Sequence, residues 1–170
     1  MSYNLTNAAQ GGNFSLSRAG GATANISALA AATTYTVQNV TYSVQGKLFF
    51  KATAVGAASP TLDANTGVAF VALIANKACA YMWALNAAGT VQIAQGPIVA
   101  YTDTSANSTR TPLPSLPDTS TPLGYIVVKA GATAVGNWLP GANNFTGVTG
   151  ITVDPYVDAL GLQATDPLTA

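Results

Sequence analysis

The chain has 170 residues, enough for one domain with a sizeable core, yet only 7% are Asp, Glu, Lys or Arg, where roughly a quarter is usual. Six basic and six acidic residues cancel, and every acid is an aspartate. Single basic residues scattered from Arg18 to Lys129 argue against nucleic acid, and the lack of histidine and glutamate removes Ser-His-Asp triads, histidine metal sites and Glu-based acid/base pairs.

Residues 1–31 are mainly Gly, Ala, Asn and Ser, with Phe14, Leu16, Ile26 and Leu29 among the few large apolar residues. This composition predicts an extended N-terminal arm or a loosely held first strand, mobile in a free subunit and ordered in an assembly. A short helix over 26–32 is too short to stand alone. The opening "MSYNLTNAAQ" lacks the basic and apolar regions of a signal peptide.

From Thr33 the types change to Tyr, Val, Thr and Phe, which favour strands. Tyr35 and Val37 alternate on odd numbers, whereas Val40, Tyr42 and Val44 alternate on even ones. The parity slip at Gln38-Asn39 predicts a bulge or bend. Gln45-Gly46 predicts a tight hairpin turn into a strand over 48–54. Lys47 and Lys51, flanking "LFF", read as a solvated edge. A loop follows over 56–67, and "VAFVALIA" (68–75) reads as a buried strand, far short of a membrane span.

The stretch "ACAYMWAL" puts Cys79, Tyr81, Trp83 and Leu85 on one face and Ala78, Ala80, Met82 and Ala84 on the other. Such a strand is apolar on both sides and calls for a second layer, from the same domain or from a neighbouring subunit. Cys79, the lone cysteine, excludes an intrachain disulfide and reads as a small buried hydrophobe. "NAAG" (86–89) turns the chain into a return strand over 90–95, and 97–102 continues it or begins another.

Residues 103–124 form the longest irregular segment, with prolines at 112, 114, 117 and 122 biasing it to extended structure. "YIVVKAGATAVG" (125–136) reads as a central strand and turn, 137–147 as a loop and 148–160 as a last strand. The pattern predicts an all-β, antiparallel β-sandwich or jelly-roll-like domain over 32–170, with the 1–31 arm and a long Pro-rich loop. Candidate interface residues are Trp138, Leu139 and Phe145 in the 137–147 loop, and Leu113 and Leu116 in the Pro-rich loop. Trp138 reads equally as a plug over the end of the domain or as an interface anchor.

No pattern here assigns catalytic, cofactor-binding or metal-binding residues. Asp154 with Asp158, and Asp103 with Asp118, are the conceivable carboxylate pairs, but Asp154 precedes Pro155 and Asp103 opens a Ser/Thr/Asn loop, which are turn positions. "DTSAN" (103–107) lacks the downstream Gly and Glu of a calcium loop. The sequons such as "NFS" and "NFT" reflect an Asn/Thr/Ser-rich composition. A net charge of zero favours association, so a surface largely used in contacts fits better than a free monomer.

"YTDTSANSTRTPLPSLPD", "GYIVVKAGATAVGNW" and "GVTGITVDPYVDAL" together resemble small structural proteins encoded in the virion-assembly regions of tailed bacteriophages, over about Thr33 to the C-terminus. The resemblance implies a head decoration (cement) protein, a jelly-roll or related β domain that sits on the capsid exterior and clamps neighbouring capsomers. It implies no catalytic residues and no cofactor. The partners it implies are the major capsid protein and further copies of the chain, as dimer or trimer, after synthesis in the host cytoplasm. Neither nucleic acid nor membrane is expected to bind. Two alternatives stay open: a tail or fibre component, and a carbohydrate-binding β-sandwich using Trp138 and nearby Asn residues.

Overall fold

The computed structural model describes residues 14–18, 34–37, 39–102, 111–144, 147–154 and 157–158. They form strands β1 (Phe14–Arg18), β2 (Thr34–Val37), β3 (Val40–Val44), β4 (Lys47–Lys51), β5 (Ala54–Ala58), β6 (Lys77–Asn86), β7 (Val91–Gln95), β8 (Val99–Ala100), β9 (Ser120–Ala130), β10 (Ile151–Val153) and β11 (Val157–Asp158). No helix occurs among the described residues, and all the strand pairings are antiparallel. The all-β, antiparallel expectation therefore holds. Of the 1–31 stretch, Phe14–Arg18 is described and pairs with β3; the rest, including the helix expected over 26–32, lies outside the described residues.

Three sheets arise: β1-β3-β4, β2-β5, and β10-β9-β6-β7 with β11 also on β9 and β8 also on β6. The first two share one long hairpin. Gln45 and Gly46 have φ of 49° and 76°, the pair of positive values that a two-residue type I′ turn requires. The hairpin runs from Val44↔Lys47 out to Val40↔Lys51, breaks, and resumes at Val37↔Ala54. The break falls where the residue parity slips. There Asn39 Oδ1 accepts hydrogen bonds from Thr53 N (2.6 Å) and Thr53 Oγ1 (3.0 Å), and Asn39 N donates to Thr53 Oγ1 (3.1 Å). The kink keeps Tyr35 and Val37 buried along with Val40, Tyr42 and Val44, although the two sets have opposite parity.

These side chains share one core with the odd-numbered face of β6 and with Ile93, Leu123, Ile126 and Val128. The Tyr35 and Trp83 rings lie 5.6 Å apart, and Tyr42 OH donates to Asn86 O at 2.9 Å. Thr121 Oγ1 donates to Ser43 O, joining β9 to β3. Burying a side chain the size of Trp83 or Tyr42 is worth roughly 2–3 kcal/mol, so this cluster holds the sheets together.

The alanine face of β6 is buried as well. Gly96 stands opposite Ala80 and donates its N–H to Ala80 O at 2.8 Å. A Cβ at Gly96 would lie 2.8 Å from Pro112 O and 3.3 Å from Pro114 Cδ. The Pro-rich segment of the same chain thus lies against the alanine side, and side chains no larger than methyl allow that close approach.

Two sequence expectations are corrected. "VAFVALIA" is not a strand: it makes isolated bridges only, Leu62↔Ala69 and Leu73↔Trp138, and buries Phe70 and Leu73 while leaving Val68, Val71 and Ile74 outside. The central strand β9 starts at Ser120, five residues before the expected Tyr125. Pro122 is accommodated because the β6–β9 register shifts there, from Trp83↔Gly124 to Ala84↔Pro122. A proline removes one ladder donor and is tolerated at such a bulge.

Candidate interface surface

The chain between β5 and β6 has no strand of its own, yet it is tightly fixed. Asp63 holds it, with 7% of its surface exposed. Its Oδ1 accepts from Gln95 N (2.9 Å), and its Oδ2 accepts from Thr66 N (3.1 Å) and Thr66 Oγ1 (2.9 Å). Its backbone N–H donates to Val68 O and its carbonyl accepts from Gly67 N, at 2.9 and 2.8 Å. A buried carboxylate with this many donors is well compensated, and each charged hydrogen bond is worth roughly 1.5–3 kcal/mol.

Gln95 fixes the next turn. Its Oε1 accepts from Val71 N (2.8 Å), its Nε2 donates to Val71 O (2.7 Å), and the same Nε2 reaches Tyr81 OH (3.3 Å). With its backbone clamped on both sides, Val71 points its side chain outward. Val68 and Val71 are 61% and 64% exposed, and Leu62 and Ile74 are also open to solvent. Val68, Ala69, Val71 and Ile98, with Asp63 and Gly96, line a shallow groove of about 410 Å³.

The groove is electrostatically quiet. Among the described residues its one carboxylate, Asp63, is committed to internal hydrogen bonds, and none of those lining it is basic. Tyr81, which bonds Gln95 from the core side, has its pKa raised by burial, and burial pushes the Cys79 thiol up to about 11, so both stay protonated at neutral pH. Cys79 Sγ lies 3.2 Å from Gly96 O. What this surface offers is apolar contact on a backbone held by the hydrogen bonds of Asp63 and Gln95.

The sequence-derived candidates fall in different places. Leu113 is exposed, in the segment whose Pro112 carbonyl abuts Gly96, and Asn65 Nδ2 ties that segment to the Asp63 turn by donating to Ser115 O at 2.9 Å. Leu116 is half-buried. Trp138 is 2% exposed, exchanges backbone hydrogen bonds with Leu73, stacks edge-on with Tyr81 at 5.5 Å and donates Nε1–H to Asn144 O, which is the arrangement of a plug. Leu139 packs half-buried against the core, and Phe145 lies outside the described residues. The structure therefore leaves Leu113 exposed next to Pro112, whose carbonyl abuts Gly96, and places Trp138 and Leu139 with the core.

Leu62, Val68, Val71 and Ile74 were not legible as surface residues. They lie in or near an apolar run without periodicity, which reads the same for a buried strand and for an irregular segment with one side exposed. Asp63 also gave little signal, because "DANTG" reads as an ordinary turn.

Of the aspartate pairs, Asp154 forms a salt bridge with Lys129 at 2.7 Å, and the Lys129 ammonium sits 6.0 Å from the Tyr101 ring centre. That arrangement locks β9 to the chain leaving β10. Asp103 and the side chain of Asp158 lie outside the described residues.

No protein-family model, curated protein or solved structure matches the chain.

Proposed function

We propose that this protein is a non-enzymatic structural component of a tailed-bacteriophage virion. It decorates and cements the capsid from outside as a β-sandwich or jelly-roll-like domain, and it binds the major capsid protein and further copies of itself. The observation that carries this reading is the apolar surface around Val68 and Val71, held by internal hydrogen bonds and without an available charge among the described residues that line it, on a chain with six basic and six acidic residues in all. Permanent contacts suit such a surface, because interface centres are depleted of charge. The core that β2 and β3 share with β6 supports the sandwich description, and the phage-like phrases point to the shell as the partner. The carbohydrate reading loses its main support, since Trp138 presents no exposed ring.

The test is titration of purified protein onto undecorated phage shells, wild type against the double variant Val68→Asp/Val71→Asp. Both side chains are solvent-exposed, so the variant is expected to keep its fold, checked by thermal unfolding. Its affinity is expected to fall by about a hundredfold or more, the effect of losing two central contacts. Equal binding would remove this surface from the interface. Labelling of tails instead of heads in image reconstructions would favour the tail or fibre alternative.

A further inference from the structure

The strand β4, Lys47–Lys51, is paired on one side only: it ends the order β1-β3-β4, and no second neighbour occurs among the described residues. The type I′ turn dictates which of its backbone groups are free. Val44↔Lys47 closes the two-residue turn as a hydrogen-bonded pair, and bonding then alternates along the strand. Lys47, Phe49 and Lys51 therefore direct N–H and C=O toward β3, while Leu48 and Phe50 direct theirs outward. Leu48 and Phe50 also carry the exposed side chains, at 65% and 64%. Phe49 stacks on Tyr42 at 5.6 Å, and Lys47 and Lys51 flank Phe49 on that same face, opposite to Leu48 and Phe50. The Lys51 stem runs over Gly89, and neither ammonium has a carboxylate partner among the described residues.

Sheet edges of this kind are usually blunted by charge along their length. Here the charges sit at the two ends, and between them lies a pair of large apolar side chains whose outward backbone groups meet no strand among the described residues. We propose that β4 is a docking edge for an extended segment of another protein with the pattern acid–apolar–any–apolar–acid. The strand period of two sets this pattern. Residues opposite Lys47 and Lys51 share the face of the ammonium groups, and residues opposite Leu48 and Phe50 meet their side chains.

A second copy does not meet the requirement. Antiparallel self-pairing over the full strand puts Lys47 opposite Lys51 at both ends, and like charges directly opposed are destabilising. The only aspartates four residues apart in the chain are Asp154 and Asp158. Asp154 is already bound to Lys129, and Val157 and Asp158 pair with Tyr125 and Gly124 in β11. The occupant is therefore a strand from a different protein, recognised by main-chain bonds for affinity and by flanking carboxylates for register. This inference does not depend on the virion reading.

The probe is a synthetic peptide, acetyl-Ser-Asp-Val-Thr-Ile-Asp-Ser-amide, compared with the same peptide carrying Lys for both Asp. Binding is followed by amide chemical shifts of the labelled full chain. The acidic peptide is expected to bind in the millimolar range and to shift the Leu48 and Phe50 amides most. The lysine peptide is expected to bind roughly fivefold more weakly, the combined worth of two exposed ion pairs. In the variant Lys47→Glu/Lys51→Glu the preference reverses. Equal affinity for the two peptides, no binding of either, shifts centred away from β4, or concentration-dependent changes at β4 without peptide would each overturn the proposal. The wild-type comparison decides the matter even where the variant fails to fold.

Discussion

Two buried groups show how much one side chain controls here. Asp63 replaces strand pairing for a whole segment, since its carboxylate alone bonds Gln95 and both donors of Thr66. Asp63→Asn keeps the shape but turns an NH₂ toward donors, so a stability loss of about 2 kcal/mol is expected, read as a lower urea midpoint at unchanged slope. A change below about 0.5 kcal/mol would mean the bonds are not made in solution. Cys79 gives a pH prediction. Burial raises its pKa from the ordinary 9.0 to about 11, so between these values the unfolded chain has released a proton that the folded chain still holds. Stability must then fall as pH rises through that window, by up to ~1.4 kcal/mol per pH unit, and be unaffected by this group below it. Tyr81, also raised by burial, acts in the same direction at higher pH. Urea titrations at several alkaline pH values, wild type against Cys79→Ala, check this: the variant should show the shallower decline. Unfolded protein is expected to react with a thiol reagent at pH 8 and folded protein not to, because Cys79 is both buried and protonated there.

At the scale of elements, local signals were readable wherever a turn or an alternation had a single physical solution. The Gln45-Gly46 turn and the parity slip at Asn39 both appear where the residues placed them, because positive φ and face-switching leave few options. The sequence could not show that "VAFVALIA" would be fixed from outside by Gln95 and Asp63, since that depends on residues as many as 24 and 32 positions apart. For the same reason the second face of β6 was an open question: alanines specify a close approach but not what approaches. Gly96 is where the answer can be tested. A Cβ there would meet the backbone oxygens of Pro112 and Ala80 at 2.8 and 3.0 Å, atoms that cannot swing aside as a side-chain end can. Gly96→Ala is expected to cost on the order of 1–3 kcal/mol, as other overpacking substitutions do, and to expose residues 111–117 to limited proteolysis. A variant with wild-type stability and wild-type protease resistance would show that the Pro-rich segment does not lie on β6 in solution.

For the whole molecule, the distribution of charge decides how assembly responds to salt. The groove around Val68 and Val71 contributes apolar burial, which added salt does not weaken, while its one carboxylate is committed inside the chain. The Lys129–Asp154 pair is likewise internal. The cations left to meet a partner in the described region are few, and Lys47 and Lys51 on the β4 edge are the best placed of them. Two exposed pairs at that edge are worth about 0.2–1 kcal/mol each, and screening within about 8–10 Å at physiological ionic strength already removes part of it. Affinity for the bare shell should therefore drop by no more than about tenfold between low and moderately high salt, the loss of roughly 1.4 kcal/mol. Lys47→Glu/Lys51→Glu should reverse that slope, because glutamates facing a partner's carboxylates repel and salt screens the repulsion, while Val68→Asp/Val71→Asp should weaken binding at every salt concentration alike. A salt series on the three proteins separates the contributions. A fall of a thousandfold in the wild type would require several simultaneous charge contacts, more than Lys47 and Lys51 can make, and would rule out the apolar surface as the main source of binding.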